Sequence, residues 1–297
     1  MRPTLREALQ WGERALAQSA LDSPRLDAEV LLAHALGTTR AQLHAHPQRE
    51  LSSAELASYR QLVERRAQRE PVAYIVGHKE FYGLDLFVDN RVLIPRPETE
   101  LLVERSIGIA RAQGLFLIAD VGTGSGAIAV SLALHLPQAL VYATDASPGA
   151  LEVAACNCRC HGVEGRVRLL QGHLLEPLLE PIDLIVANLP YVSQAELAQL
   201  PPEIGRYEPR EALSGGPDGL DHIRRLLAQA GRYLRLPGVI LLEIGATQGK
   251  AVTALARCHF PAAKVEIAKD YAGLDRVVMV SKGAEDSAAE ATKRFTI

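Results

Sequence analysis

The sequence predicts an α/β protein in which a mainly parallel sheet, covered by helices on both faces, follows a small bundle of helices. Three observations predict it. From Leu115 onward, short apolar runs rich in Val, Ile and Leu alternate with helical stretches, the pattern of strands buried on both faces. Before residue 72 the apolar residues recur at helical spacing instead. A glycine-rich loop, Gly122 to Gly126, sits where the first of the strands gives way to a helix, the place where open α/β sheets bind nucleotides.

The chain has 297 residues, enough for a main domain and a smaller one, and 48% of them are hydrophobic against 23% charged. With 32 basic and 35 acidic residues the net charge is -3, so no global positive field supports a nucleic-acid partner. No apolar run approaches the roughly 20 residues that span a bilayer. The start of the chain reads as a helix rather than a signal peptide, and the expected compartment is the cytoplasm. Four cysteines fit that compartment. Three of them, Cys156, Cys158 and Cys160, crowd one segment without the two-residue gap of a zinc knuckle, so reduced thiols are expected and no metal site.

Residues 1–72 are expected to form a helical docking domain. Thr4 with Glu7 and Ser52 with Glu55 have capping-box spacing, and Ser23 before Pro24 marks another helix start. Leu26, Val30 and Ala33 would share one apolar face, and Leu56, Tyr59 and Val63 another. The charges, including Arg65, Arg66 and Arg69 between Glu64 and Glu70, read as a solvated face. Pro71 interrupts the pattern, and over 73–95 aromatic and β-branched residues alternate around Gly77, Gly83 and Asp89 to Asn90, predicting a β-hairpin linker. Arg96, Pro97, Glu98, Thr99 and Glu100 then open a helix running to about Gln113.

Seven strands are expected in the domain spanning 96–283: Leu115 to Asp120, Leu140 to Thr144, Val167 to Gln171, Asp183 to Ala187, Val239 to Ile244, Val265 to Lys269 and Arg276 to Lys282. The last two are too close in sequence for a helical crossover and must pair antiparallel. A doubly wound sheet ending in an antiparallel seventh strand is the arrangement of class I methyltransferases rather than of dehydrogenases. Residues 284–297 read as a flexible tail.

The loop Gly122, Thr123, Gly124, Ser125, Gly126 is the candidate cofactor cradle. Its glycines permit close backbone approach, and the following helix offers amide donors suited to a dinucleotide phosphate or to the carboxylate of a methionine moiety. Nineteen positions after Gly126, Asp145 ends the next strand, where it could accept from a ribose diol or cap the helix near Pro148. Asp120 could be only a turn residue.

Asn188, Leu189, Pro190 and Tyr191 follow the strand ending at Ala187 and face the same crevice. A substrate NH2 carries two donors; the Asn188 side-chain oxygen and the Leu189 main-chain carbonyl can accept both. Pro190 stiffens the turn and Tyr191 offers a flat surface to a planar amide or base. Asn188 is also a candidate cofactor-binding residue, together with the glycine loop and Asp145.

These residues together resemble the release-factor glutamine methyltransferases (HemK family). The likeness rests on Pro71, Val72, Tyr74, Ile75 and Gly77; on Leu93 to Glu100; on the glycine loop; on Asn188 to Tyr191; on Glu208, Pro209 and Ala212 to Gly219; and on Asp270, Tyr271, Asp275 and Arg276. It implies a class I Rossmann-like methyltransferase that uses S-adenosyl-L-methionine to methylate the glutamine N5 of the Gly-Gly-Gln motif of class 1 peptide chain release factors. It also implies a helical domain that helps dock the protein substrate. The family's usual tetrapeptide has proline where this chain has Leu189, and relatives place an acid and an aromatic where it has His173 and Leu174. The tetrapeptide Asn, Leu, Pro, Tyr also fits adenine methyltransferases acting on nucleic acid. A ribosomal-protein glutamine methyltransferase is a further alternative. His173 itself reads as a loop residue.

Overall fold

The computed structural model describes residues 2–283; the tail expected over 284–297 lies outside the described residues. The chain divides into two compact units, one made of Met1–His78 with Pro201–Tyr207, the other of Lys79–Leu200 with the chain from Glu208 onward.

In the first unit, α1 (Leu5–Ala17), α2 (Pro24–Ala35), α3 (Arg40–Ala45), α4 (Ser53–Ala67) and α5 (Val72–Val76) surround one apolar cluster built on Leu5, Leu16, Leu31, Leu32, Tyr59 and Val63. Both expected capping boxes form, and Thr39 with Gln42 makes a third. Pro24 occupies the first turn of α2 as expected, but of the expected face Leu26, Val30 and Ala33 only Ala33 is buried. Leu26 is exposed, and the buried positions are Asp27, Ala28, Glu29, Leu31, Leu32 and Ala33. The reason is ionic: Arg66 Nε donates to Asp27 Oδ2 at 2.7 Å, and Arg40 Nη2 to Glu29 Oε2 at 2.7 Å, so both acids are buried as pairs. Arg66 is therefore a buried residue, not part of a solvated face. Val72–Val76 forms a helical turn ending at Gly77, φ +78°, rather than the start of the hairpin; Pro71 as N-cap outweighs its β-branched composition.

The short helix α10 (Pro202–Tyr207) belongs to this unit although its neighbours in sequence do not. Glu203 accepts from Arg66 Nη1 at 3.2 Å and from Arg69 Nη2 at 2.7 Å, and the Tyr207 hydroxyl donates to the Gln68 carbonyl at 2.8 Å.

The second unit opens with a hairpin, β1 (His78–Phe81) and β2 (Leu84–Phe87), shorter than expected and turning at Tyr82 and Gly83. Next comes α6 (Thr99–Gln113), which starts three residues later than predicted: Pro97 and Glu98 form a turn with Glu98 as N-cap. The sheet contains β3 (Leu117–Val121), β4 (Leu140–Asp145), β5 (Val167–Gln171), β6 (Ile182–Ala187), β7 (Leu234–Glu243), β8 (Lys264–Lys269) and β9 (Asp275–Lys282), in the order β5-β4-β3-β6-β7-β9-β8. All seven expected strands are present. The last strand is antiparallel as predicted, pairing with β7 on one side and β8 on the other, so the edge strand is β8.

Side chains alternate through the sheet as period two requires. Ile118, Leu184, Val186 and Leu241 point to the face covered by α6, α7 (Ala127–His135) and α8 (Pro148–Cys160). Ala119, Val121, Ile185 and Leu242 point to the face covered by α11 (Asp221–Tyr233) and α12 (Gly249–His259). The remaining α9 (Gln194–Leu197) follows the Asn188 turn. Among the described residues, no helix is long and apolar enough to cross a membrane.

Candidate active site

Register places the chemistry on one edge. Val121 pairs with Thr144 and with Ala187, and Ala187 with Leu242. The next residues, Gly122, Asp145, Asn188 and Glu243, therefore stand side by side at the carboxyl end of the parallel strands. The chain runs from β3 outward through β4 and β5 and resumes at β6 on the other flank of β3, so Gly122 and Asn188 border the switch point where such sheets bind ligands.

The glycine loop is tied down before it meets any ligand. The Gly122 and Thr123 amides both donate to the Thr144 carbonyl, at 2.9 and 3.0 Å, and Gly126 N donates to Thr123 O at 2.9 Å. Thr123 turns its hydroxyl inward, donating to Asp120 Oδ2 at 2.6 Å, and the Ala129 amide donates to the same oxygen at 3.1 Å. Asp120 is thus the fully buried clamp of the loop, not a cofactor ligand, and burial pushes its carboxyl up to about 7. Ser125 is buried, its carbonyl accepting from Asn157 Nδ2 at 2.8 Å. What the loop can offer a ligand is the Ala127 and Ile128 amides at the start of α7, the Ala129 amide being taken by Asp120, and the space over Gly124, where an added Cβ would meet nothing within 4 Å.

Asp145 receives the Gly124 amide on Oδ2 at 2.9 Å and the Ser147 amide on Oδ1 at 2.9 Å. It does not cap α8; Ser147 does, its Oγ accepting from the Ala150 amide at 3.2 Å. Each carboxylate oxygen keeps lone-pair capacity for a diol.

Gly122 also links the loop to the tetrapeptide. At φ +75° it adopts a left-handed backbone, and a Cβ there would stand 3.1 Å from Leu189 Cδ2. The Leu189 side chain, 4% exposed, lies in the core with Val121, Ile185 and Ala187, so the leucine alters the packing under the turn rather than its rim. Asn188 Nδ2 donates to Thr99 Oγ1 at 3.0 Å. The Tyr191 hydroxyl donates to Glu243 Oε1 at 3.3 Å, and burial beside that carboxylate pushes the phenol up to about 12. Glu243 is itself 1% exposed and pushed up to about 7 by the same burial.

The segment after the tetrapeptide closes back beneath it. Val192 N donates to Leu213 O and Gly215 N to Val192 O, while Gln248 Nε2 donates to the Tyr191 carbonyl at 2.9 Å. Gly219, at φ +80°, passes so near that a Cβ would sit 2.3 Å from Tyr191 O. Arg96 Nη2 donates to Glu208 Oε1 at 2.5 Å, and the Ile94 amide to Glu208 Oε2 at 3.3 Å, so the 93–100 and 208–219 segments are joined by a buried carboxylate. Sequence reasoning missed Thr99, Glu243 and Gln248. The signal for Glu243 was available: a lone acid closing an otherwise apolar strand. Thr99 lay inside the Leu93 to Glu100 stretch that carries the resemblance, with nothing to mark it as the partner of Asn188, and Gln248 carried no signal. His173 is exposed, and Leu174, φ +51°, accepts the Thr144 hydroxyl on its carbonyl at 2.8 Å.

Residues 7–77 match the PrmC N-terminal domain family and residues 99–200 the methyltransferase small domain family. A methyltransferase of known structure from Pyrococcus furiosus shares the fold at a TM-score of 0.51 and 18% identity, over 74% of this chain and 98% of that one. Release factor glutamine methyltransferases from Moorella thermoacetica and Geobacter sulfurreducens are 47% and 44% identical; they align over 95% and 93% of this chain and 100% and 95% of their own length. At that identity along nearly the whole of each sequence, the chain belongs to the release factor glutamine methyltransferase family.

Proposed function

We propose that this chain methylates the side-chain amide nitrogen of the glutamine in the Gly-Gly-Gln loop of class 1 peptide chain release factors, with S-adenosyl-L-methionine as donor. The observation that carries the reading is the orientation of Asn188. Its amide NH2 is engaged by Thr99, so its carbonyl oxygen is the end left for a substrate, next to the Leu189 carbonyl. Two acceptors at one corner suit an NH2 group, which has two donors.

The cofactor fits the residues present. The Ala127 and Ile128 amides at the start of α7 would hold its carboxylate, the open space above Gly124 would admit its backbone-hugging portion, and Asp145 would accept from its ribose diol. When bound it supplies an electrophilic methyl on a sulfonium. An amide nitrogen is a weak nucleophile because its lone pair is delocalised into the carbonyl, so alignment and exclusion of water carry the catalysis. Asn188 and Leu189 orient the nitrogen, Pro190 stiffens the turn, and the Tyr191 ring walls the site. Accepting both hydrogens also places negative potential beside a nitrogen that becomes positive during transfer, favouring the transition state over the ground state. The proton leaves afterwards, when the nitrogen is strongly acidic.

The helical unit is read as the part that docks the protein substrate, and the compartment is that of translation, the cytoplasm. Labelled methyl transfer tests the proposal, with purified class 1 release factor, a Gln-substituted release factor and ribosomal RNA as parallel acceptors. Label on the intact release factor alone is expected. Label on RNA would move the assignment to an adenine methyltransferase, and label on a ribosomal protein instead would move it to a sister glutamine enzyme.

A further inference from the structure

Helix α12 starts at Gln248, whose side chain makes no hydrogen bond to the first-turn amides of its own helix. Short polar side chains favour that position because they fold back onto those amides. Gln248 is longer and reaches three other segments instead. Its Oε1 accepts from the Gly245 amide at 2.9 Å, and its Nε2 donates to the Tyr191 carbonyl at 2.9 Å and, more weakly, to the Gly219 carbonyl at 3.4 Å. A main-chain amide only donates and a carbonyl only accepts, so one orientation of the carboxamide satisfies all three partners.

These partners enclose the exit of the tetrapeptide. At its entry, Asn188 is fixed by β6, where Ala187 pairs with Val121 and with Leu242. At its exit, glycines press on the main chain. A Cβ on Gly215 would stand 2.7 Å from the Pro190 carbonyl oxygen, and one on Gly219 would stand 2.3 Å from that of Tyr191 and 2.7 Å from Gln248 Nε2. The Pro190 and Tyr191 carbonyls thus have no room to move toward Gly215 and Gly219, and the Gln248 donor keeps the Tyr191 carbonyl from moving away. Pro190, its φ fixed by the ring, leaves little slack between the two ends of the turn.

We infer that Gln248 is a positioning residue for methyl transfer: by holding the Tyr191 carbonyl against Gly219 it fixes the far end of the turn and so aims the Leu189 carbonyl at the substrate nitrogen. The inference rests on the acceptor role given above to Asn188 and Leu189. None of the three partners of Gln248 belongs to the glycine loop or is Asp145, so its loss is expected in kcat and not in cofactor affinity. The glycines of the Ala212 to Gly219 stretch, part of the family resemblance, serve the same end by allowing the close approach.

The test measures methyl transfer to class 1 release factor by the unsubstituted enzyme and by Gln248→Met, Gln248→Glu and Gly219→Ala, each with cofactor Kd by calorimetric titration and with thermal unfolding. Methionine keeps the length and loses every bond; glutamate keeps the acceptor for Gly245 and sets an oxygen against the two carbonyls. Gln248→Met is expected to lose roughly tenfold in kcat and Gln248→Glu roughly 100-fold, both with cofactor Kd within about twofold, since misplacing a reacting group by about 1 Å has an effect of that order. Gly219→Ala, which pushes on the same carbonyl from the other side, is expected to show the same split between kcat and cofactor Kd. A side chain that served only the fold would lower the unfolding temperature and leave the kcat of folded enzyme unchanged. Folded Gln248→Glu enzyme within about threefold of the original kcat, or a loss of cofactor affinity as large as the loss in kcat, would overturn the inference. Absence of label with the unsubstituted enzyme fails at an earlier step and overturns the functional reading, and this inference with it.

Discussion

At the scale of single residues, the proposed function divides the crevice's side chains between those that would meet ligands and those that hold others in place. Asn188 is proposed as one of the first kind. Asn188→Ala is expected to lower kcat by roughly two to three orders of magnitude while cofactor affinity stays within about twofold, measured by turnover and by calorimetric titration. Comparable loss of both would assign Asn188 to the cofactor. Asp120 belongs to the second kind, and its signature is in stability. Burial raises its carboxyl from the ordinary 3.8 to about 7, so the native state keeps a proton that the unfolded chain releases. Its contribution to stability is full below about 3.8 and is lost as pH rises toward about 7. Asp120→Asn is expected to flatten that decline in urea unfolding curves between those limits; an unchanged slope would show that Asp120 does not titrate there. The placement of the glycine loop and the tetrapeptide at one sheet edge was legible in the sequence, because each directly follows an apolar strand. Thr99 was not, since its partner Asn188 lies 89 residues away and nothing in either segment announces the pairing.

At the scale of elements, the strands were the most legible part of the fold. The central strands β3, β4 and β6 are buried apolar runs bounded by turn residues, and β5 was found to the residue although only Val167 in it is buried. Helix faces were harder where charge is buried. Asp27 and Arg66, each 9% exposed in its side chain, pair inside the bundle, and a pattern that sends charge outward cannot foresee it. Arg66→Ala would leave Asp27 buried and unpaired and remove one of the two arginines on Glu203. A loss of about 3–5 kcal/mol is expected, against about 1 kcal/mol for Ser52→Ala, which removes only a helix cap. Chemical denaturation of the two variants side by side checks the contrast; equal losses would mean that the buried pair contributes no more than a cap. The insertion of β9 between β7 and β8 was also beyond local reading, because spacing predicts a hairpin without saying which of its strands lies inside.

At the scale of the whole molecule, two folding units were legible from the change of periodicity near residue 72, but their membership was not. The seven residues Pro201–Tyr207 fall within the stretch expected to be methyltransferase throughout, yet pack with the helices. A chain beginning at Lys79 would deprive Glu203 of Arg66 and Arg69, and Tyr207 of the Gln68 carbonyl. Its sheet is expected to fold, with amide hydrogen exchange fast across 202–207 and slow in β3 and β6. Slow exchange at 202–207 in that shortened chain would show that α10 is held by the second unit instead.

That shared helix bears on how such proteins can be recombined. A crossover that exchanged only the first 78 residues between two family members would join one parent's arginines to the other's Glu203 position, so the hybrid would inherit a mismatched ion cluster at a distance from the splice. A hybrid that carried its own 201–207 segment along with the helices would keep the cluster intact. The heritable block is discontinuous in the gene, and pairs of parents are expected to yield stable hybrids when both stretches travel together.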